Sequence, residues 1–143
     1  MTGSAAKMSV MDPTTLPRIQ VVSAAISRED RYLVTQRGEQ AVLPLLWEFP
    51  GGRVEAGESL DQALRRELAH RLGIDAEVCE QISQVERAYS DYVVELHLVR
   101  CEIGEQTPRP KAVRDLLWAT TAELDSLAFT PADEASMRAL LFG

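Results

Sequence analysis

The sequence predicts a mixed α/β sandwich, and three observations carry that reading. Strand-like segments outnumber helical ones, a long capped helix sits between strands, and a second helix closes the chain. With 143 residues, 45% of them hydrophobic and 26% charged, the composition is that of one globular domain with a full core.

The elements follow in order. Residues 1–17, "MTGSAAKMSVMDPTTLP", are small, polar and proline-containing, and read as a flexible leader whose start could be Met1, Met8 or Met11. The domain is assigned to residues 18–143. "RIQVVSAAIS" and "RYLVTQR" read as strands joined by a turn at Arg28-Glu29-Asp30. "GEQAVLPLLWEFPGG" reads as a loop ending in Gly51 and Gly52. Ser59 as N-cap and Gln62 three residues later form a capping box. Leu60, Ala63, Leu64, Leu68 and Leu72 then make an apolar stripe, and Gly73 stops the helix. A strand over Glu77 to Glu86 precedes a stronger one, "DYVVELHLVRCEI", whose alternation puts Val94, Leu96 and Leu98 opposite Glu95 and His97. "LLWAT" reads as a short strand and "TTAELDSL" as a capped helical turn. The last helix opens with Thr130 as N-cap and Pro131 at its first position.

Charge and motifs exclude several classes. A net charge of −7 argues against a nucleic-acid duplex as partner, though a local arginine cluster or a metal could still hold a small anion. No apolar run approaches a membrane span, and residues 1–17 lack the apolar h-region expected of a secretory signal. Cys79 and Cys101 lack metal spacing and are expected to be reduced core thiols of a cytoplasmic protein. Neither dinucleotide nor P-loop glycine motifs occur.

The stretch from Glu48 to Ile74, "EFPGGRVEAGESLDQALRRELAHRLGI", is the most informative. Gly52, Glu58, Arg66, Glu67, Leu68, Gly73 and Ile74 fall at the spacings of the Nudix box, so the chain resembles that family. "YLVTQR", "LWEFPGGRVEAGES", "LLWAT" and "FTPAD" extend the likeness to MutT-type members over about Arg18 to Phe142. The resemblance implies a Nudix-type α/β/α sandwich with a mixed central sheet, a loop-helix and a C-terminal helix. It also implies hydrolysis of nucleoside triphosphates to a monophosphate and pyrophosphate.

The physical basis of such a box is simple. Cleaving a diphosphate bridge needs an aimed water and cations on the phosphate oxygens. Positions i, i+3 and i+4 of a helix can present three carboxylates to one metal. Glu67 is the first of such a triplet, but the other two positions hold His70 and Arg71. The family's further metal-binding glutamate, six residues before the tryptophan of "LLWAT", is replaced by Ala112. An arginine about 4 Å from a divalent cation is repelled by roughly 8 kcal/mol at an effective dielectric of 20. The usual magnesium or manganese cluster is therefore not expected to assemble.

Candidate roles follow. Glu67 and Arg66 are the catalytic candidates, with Arg66 orienting Glu67 through a charge-assisted hydrogen bond. Glu67, with the Gly52 carbonyl, is the remnant metal site. Arg37, Gly51, Gly52, Arg53, Arg71 and Asp133 are the candidate substrate-binding residues, Asp133 because relatives use Asn or Asp there to hydrogen-bond a nucleobase. Glu48 is expected to pair with an arginine and Glu58 to brace the loop. Trp47 and Trp118 read as core residues, and His97 as a satisfied polar one. His70 and Arg71 admit three readings: a solvated helix face, a decayed site, or a replacement site in which Arg71 binds phosphate itself.

Three functions remain open. The leading one is a MutT-like domain that binds a nucleoside di- or triphosphate with weak or absent metal-dependent hydrolysis. The second is an active pyrophosphohydrolase using magnesium or manganese, with ligands moved to Glu55, Glu58 or Glu95. The third is a protein-interaction module whose pocket is filled by its own side chains.

Overall fold

The computed structural model describes residues 15–142; of the leader assigned to residues 1–17, positions 1–14 lie outside the described residues. Seven strands and three helices make up the described domain. They are β1 (Arg18–Arg28), β2 (Arg31–Gln36), β3 (Trp47–Glu48), β4 (Gly51–Arg53), α1 (Leu60–Leu72), β5 (Glu77–Ala88), β6 (Val93–Glu102), β7 (Asp115–Thr120), α2 (Thr121–Ser126) and α3 (Pro131–Phe142).

The long strand β1 organises the sheet. Its residues Arg18 to Ile26 pair in parallel with Val93 to Cys101 of β6, and its far end turns back antiparallel onto β2. Glu29 and Asp30 make that turn with φ of 52° and 64°, the left-handed pair that matches the twist of a two-residue hairpin. The order is β3-β2-β1-β6-β5, with β4 also on β1 and β7 also on β2. One parallel pair among antiparallel ones makes the sheet mixed, as expected.

Alternation along β1 divides the core. Val22, Ala24 and Ile26 face α1 and pack with Ala63, Leu64, Leu68 and Leu72. Ala25 faces the other way, into a cluster with Phe49, Leu98, Leu124 and Met137. Helices thus cover both sheet faces. Trp118 packs half-buried against the first cluster and Trp47 against the second.

Two expectations are corrected. The segment 38–52 is not one continuous loop: Trp47 and Glu48 pair with β2, and Gly51 and Gly52 pair with Ser23 and Val22 of β1. The glycine pair is strand, held by long-range pairing that local glycine content does not reveal. His97 is buried on the α1 face of β6, but it is not fully satisfied. Gln81 lies 3.3 Å from its Nδ1, whereas Nε2 makes no hydrogen bond among the described residues and Glu95 stands 3.7 Å away. No helix of the described residues is long and apolar enough to cross a membrane.

Candidate active site

α1 is positioned from both ends. Ser59 Oγ accepts from the Gln62 backbone amide at 3.1 Å and Gln62 Oε1 accepts from the Ser59 backbone amide at 2.9 Å, the expected capping box. Gly73 ends the helix at φ 67°. The segment before β7 then satisfies the last carbonyls. Arg109 donates its amide to Leu72, and Lys111 and Ala112 donate theirs to Arg71. Position 112 is exposed at this helix end, so the replacement of an acid there by Ala112 leaves the cap intact.

The two glycines of β4 let the helix side chains come close. A Cβ on Gly51 would collide with the Val22 carbonyl, and one on Gly52 with the Glu67 carboxyl group. Glu67 therefore lies directly over Gly52, buried to 8% exposure.

Its charge is met by arginine. Arg71 Nε lies 3.0 Å from one Glu67 oxygen and Arg66 Nη1 3.3 Å from the other. Arg71 also approaches Glu48 at 4.0 Å, and Glu48 pairs with Arg37 at 3.0 Å. Arg66 in turn holds Glu58 through bonds of 2.6 and 2.9 Å. The groups form an alternating chain from Arg37 through Glu48, Arg71, Glu67 and Arg66 to Glu58.

This arrangement modifies several expected roles. Arg66 does contact Glu67, but its two shortest bonds go to Glu58, and a third at 3.0 Å goes to the Arg53 carbonyl. Glu58 also accepts from the Glu55 amide at 2.8 Å, so it braces the loop as expected. The Arg66 guanidinium pulls the Glu58 carboxyl down to about 2. Glu48 has its expected arginine in Arg37, yet burial still raises its carboxyl above the ordinary range. Arg37 is further engaged with the Val42 carbonyl at 2.6 Å.

A cavity of about 360 Å³ opens beside this chain. Arg37, Glu48, Arg53, Arg71 and Asp133 line it, together with the glycine pair. Its apolar walls include Ile19 and Val21 of β1 and Val94 and Leu96 of β6. Of positions 67, 70 and 71, only Arg71 lines it, while His70 is exposed on the helix surface. Tyr89 and Tyr92, stacked with centroids 5.1 Å apart, also line the cavity. Neither tyrosine stands out from sequence alone, where the available signal is "AYSDY", two aromatics spaced across a hairpin turn.

Asp133 reaches the cavity from the first turn of α3, but both its oxygens are engaged. Oδ1 accepts from the Phe49 amide at 3.0 Å and Oδ2 from the Thr130 hydroxyl at 2.5 Å. Burial, reinforced by the nearby Glu48 charge, pushes its carboxyl up to about 7.

The residues present do not fit a magnesium or manganese cage. Among the described residues no group of three or more His, Cys, Asp or Glu side chains could hold a metal. Both Glu67 oxygens face guanidinium groups. The acids considered as substitutes are not gathered around it either. Glu58 is held by Arg66, the Glu55 side chain is 68% exposed, and Glu95 bonds Arg18 at 2.7 Å on β6, two strands from Gly52.

A family model described as "NUDIX domain" matches residues 21–139 of this fold and site. The chain belongs to the Nudix family. Within the family it is of MutT type, as its relatives show. It is 36% identical over 123 residues to the CTP pyrophosphohydrolase of Escherichia coli (strain K12), covering 86% of this chain and 91% of that one. It is 37% identical over 117 residues to a putative 8-oxo-dGTP diphosphatase 2 of Mycobacterium tuberculosis (strain ATCC 25618 / H37Rv), covering 79% and 81%. Among solved structures, the solution structure of the E. coli ORF135 protein superposes with a TM-score of 0.74 at 34% identity, over 90% of this chain and 91% of that one. A MutT NUDIX hydrolase from Burkholderia pseudomallei, at 23% identity and TM-score 0.78 over 86% and 98%, shares the fold. Nudix proteins generally use a divalent metal such as magnesium or manganese. In this chain the Glu67 carboxylate is paired with Arg71 and Arg66.

Proposed function

We propose that this chain is a MutT-like Nudix domain that binds a nucleoside di- or triphosphate in the cavity beside β4 and has weak or absent metal-dependent pyrophosphohydrolase activity. One observation carries the proposal: Arg71 places a guanidinium 3.0 Å from Glu67 and 4.0 Å from Glu48, a cation between two carboxylates beside the cavity. A divalent ion there would be repelled by Arg71 and would have to displace it from Glu67. Magnesium is commonly held by one or two free carboxylates together with water and substrate phosphates, but both Glu67 oxygens are already held by Arg71 and Arg66.

Binding is supported by the cavity itself. Its volume lies within the range of small-molecule pockets, and it combines apolar walls with a few converging charges. Arg53 and Arg71 offer the planar fork that suits phosphate, and Tyr89 and Tyr92 offer aromatic surface for a base. The open cavity also weighs against a module whose pocket is plugged by its own side chains.

A panel of nucleoside triphosphates incubated with purified protein and magnesium or manganese tests the reading. Binding without appreciable turnover supports it. A rate of about 1 per second, within the ordinary enzyme range, contradicts it.

A further inference from the structure

The charges on the cavity wall point to the form in which the ligand arrives. Three guanidinium groups, from Arg37, Arg53 and Arg71, line the cavity against two carboxyl groups, Glu48 and Asp133. The wall is thus net positive even with both acids ionised, in a chain whose overall charge is −7. The three arginines also differ in availability. Arg37 is held by Glu48 and the Val42 carbonyl. Arg71 is shared between Glu67 and Glu48, the second contact a long 4.0 Å. Arg53 is exposed and has no ion pair among the described residues, while its own carbonyl is fixed by Arg66.

We infer that this site takes its polyphosphate free of metal, with Arg53 and Arg71 as the phosphate-binding cations, so that magnesium competes with the protein for the ligand. The inference rests on the nucleotide-binding reading above and reverses the usual dependence of the family. A magnesium complex would bring two positive charges toward Arg71, and the ion would occupy part of the phosphate oxygens that the arginines would otherwise contact. An uncomplexed phosphate offers those oxygens to the arginine forks. Arg71 can turn toward it by exchanging its long contact with Glu48, while Arg37 remains to neutralise that carboxylate.

Calorimetric titration of the full chain with CTP, and separately with inorganic pyrophosphate, tests this in EDTA and in rising magnesium. Both probes should bind in EDTA. Once magnesium complexes about nine-tenths of the probe, the apparent Kd should rise about tenfold, the reciprocal of the fraction left competent. Equal or tighter binding in magnesium, or binding that requires it, would overturn the inference and leave the nucleotide reading standing. No binding in either condition would instead overturn both. Arg53→Gln removes an exposed side chain with no ion pair among the described residues and should weaken pyrophosphate binding in EDTA by about tenfold or more, the range for a hydrogen bond to a charged group. Arg71→Gln should do the same, with its melting curve recorded beside it. Unchanged affinity in the Arg53 variant would count against the inference.

Discussion

Arg71 and Glu67 stand one helical turn apart on α1, and the Arg71 Nε meets the Glu67 carboxylate at 3.0 Å. The same guanidinium reaches toward Glu48 on β3 at 4.0 Å. This side chain therefore links α1 to β3. On the reading proposed above, this guanidinium stands between carboxylates where a metal ion would otherwise sit. The other residues of the box serve the fold: Gly51 and Gly52 permit close packing, Glu58 and Arg66 brace the turn, and Gly73 ends the helix.

Removing that charge should destabilise the protein. Arg71→Ala leaves Glu67 nearly buried with only the 3.3 Å contact to Arg66. A fully buried pair broken in this way costs several kcal/mol, but the Arg71 side chain is 31% exposed and water can partly replace it. The expected loss is about 1–2 kcal/mol, read as a lower urea midpoint at unchanged m-value. A midpoint equal to that of the wild type would show that the pair contributes nothing.

The two glycines should respond differently to alanine. At Gly51 the added methyl group meets the Val22 carbonyl, a backbone atom of the central strand that cannot move aside. At Gly52 it meets the Glu67 side chain, which can rotate away. Gly51→Ala should therefore cost more, upwards of about 3 kcal/mol, and Gly52→Ala about 1–2 kcal/mol with Glu67 displaced. Thermal melts of the two variants settle the order, and the reverse order would contradict the packing described here.

Asp133 gives a pH signature. Its folded carboxyl lies up at about 7, above the ordinary value of about 4, so the folded state holds the proton more tightly than the unfolded chain. The stability it contributes is full below about pH 4 and is lost as pH rises toward about 7. Asp133→Asn keeps the shape and cannot ionise. The difference in melting temperature between wild type and variant should shift in favour of the variant across that window. A difference that stays constant from pH 4 to 8 would contradict the burial of an ionisable group there.

The tyrosine pair should separate base from phosphate. Tyr92→Ala removes one face of the stacked pair at the cavity, and stacking of a base on an aromatic is worth about 1–3 kcal/mol. CTP binding should weaken about tenfold or more, with pyrophosphate binding unaltered. Equal weakening of both probes would point to a structural role for the tyrosine.

What the sequence made legible was mostly local. The capping box of Ser59 and Gln62, the left-handed Gly73 and the Thr130-Pro131 helix start each depend on partners a few residues away, and each appears in the structure. Helical spacing also made Arg71, four residues on, legible as a neighbour of Glu67, while only the family resemblance marked positions 70 and 71 as departures from acid. The rest depended on distance. Nothing near Arg71 in sequence announces Glu48, which β3 brings up by pairing with β2. Asp133 was legible as a helix-start acid, but its bond to the Phe49 amide, 84 residues away, required the fold. The glycine pair read as loop because its strand partners Val22 and Ser23 lie about 30 residues earlier.

Manganese binding followed by electron paramagnetic resonance tests the central claim most directly. The wild-type chain should leave stoichiometric manganese free in solution. The variant carrying His70→Glu, Arg71→Glu and Ala112→Glu should bind it, because the three substitutions return oxygen ligands around Glu67 and remove the arginine. Tight manganese binding by the wild type, with the ion seated against Glu67, would contradict the account.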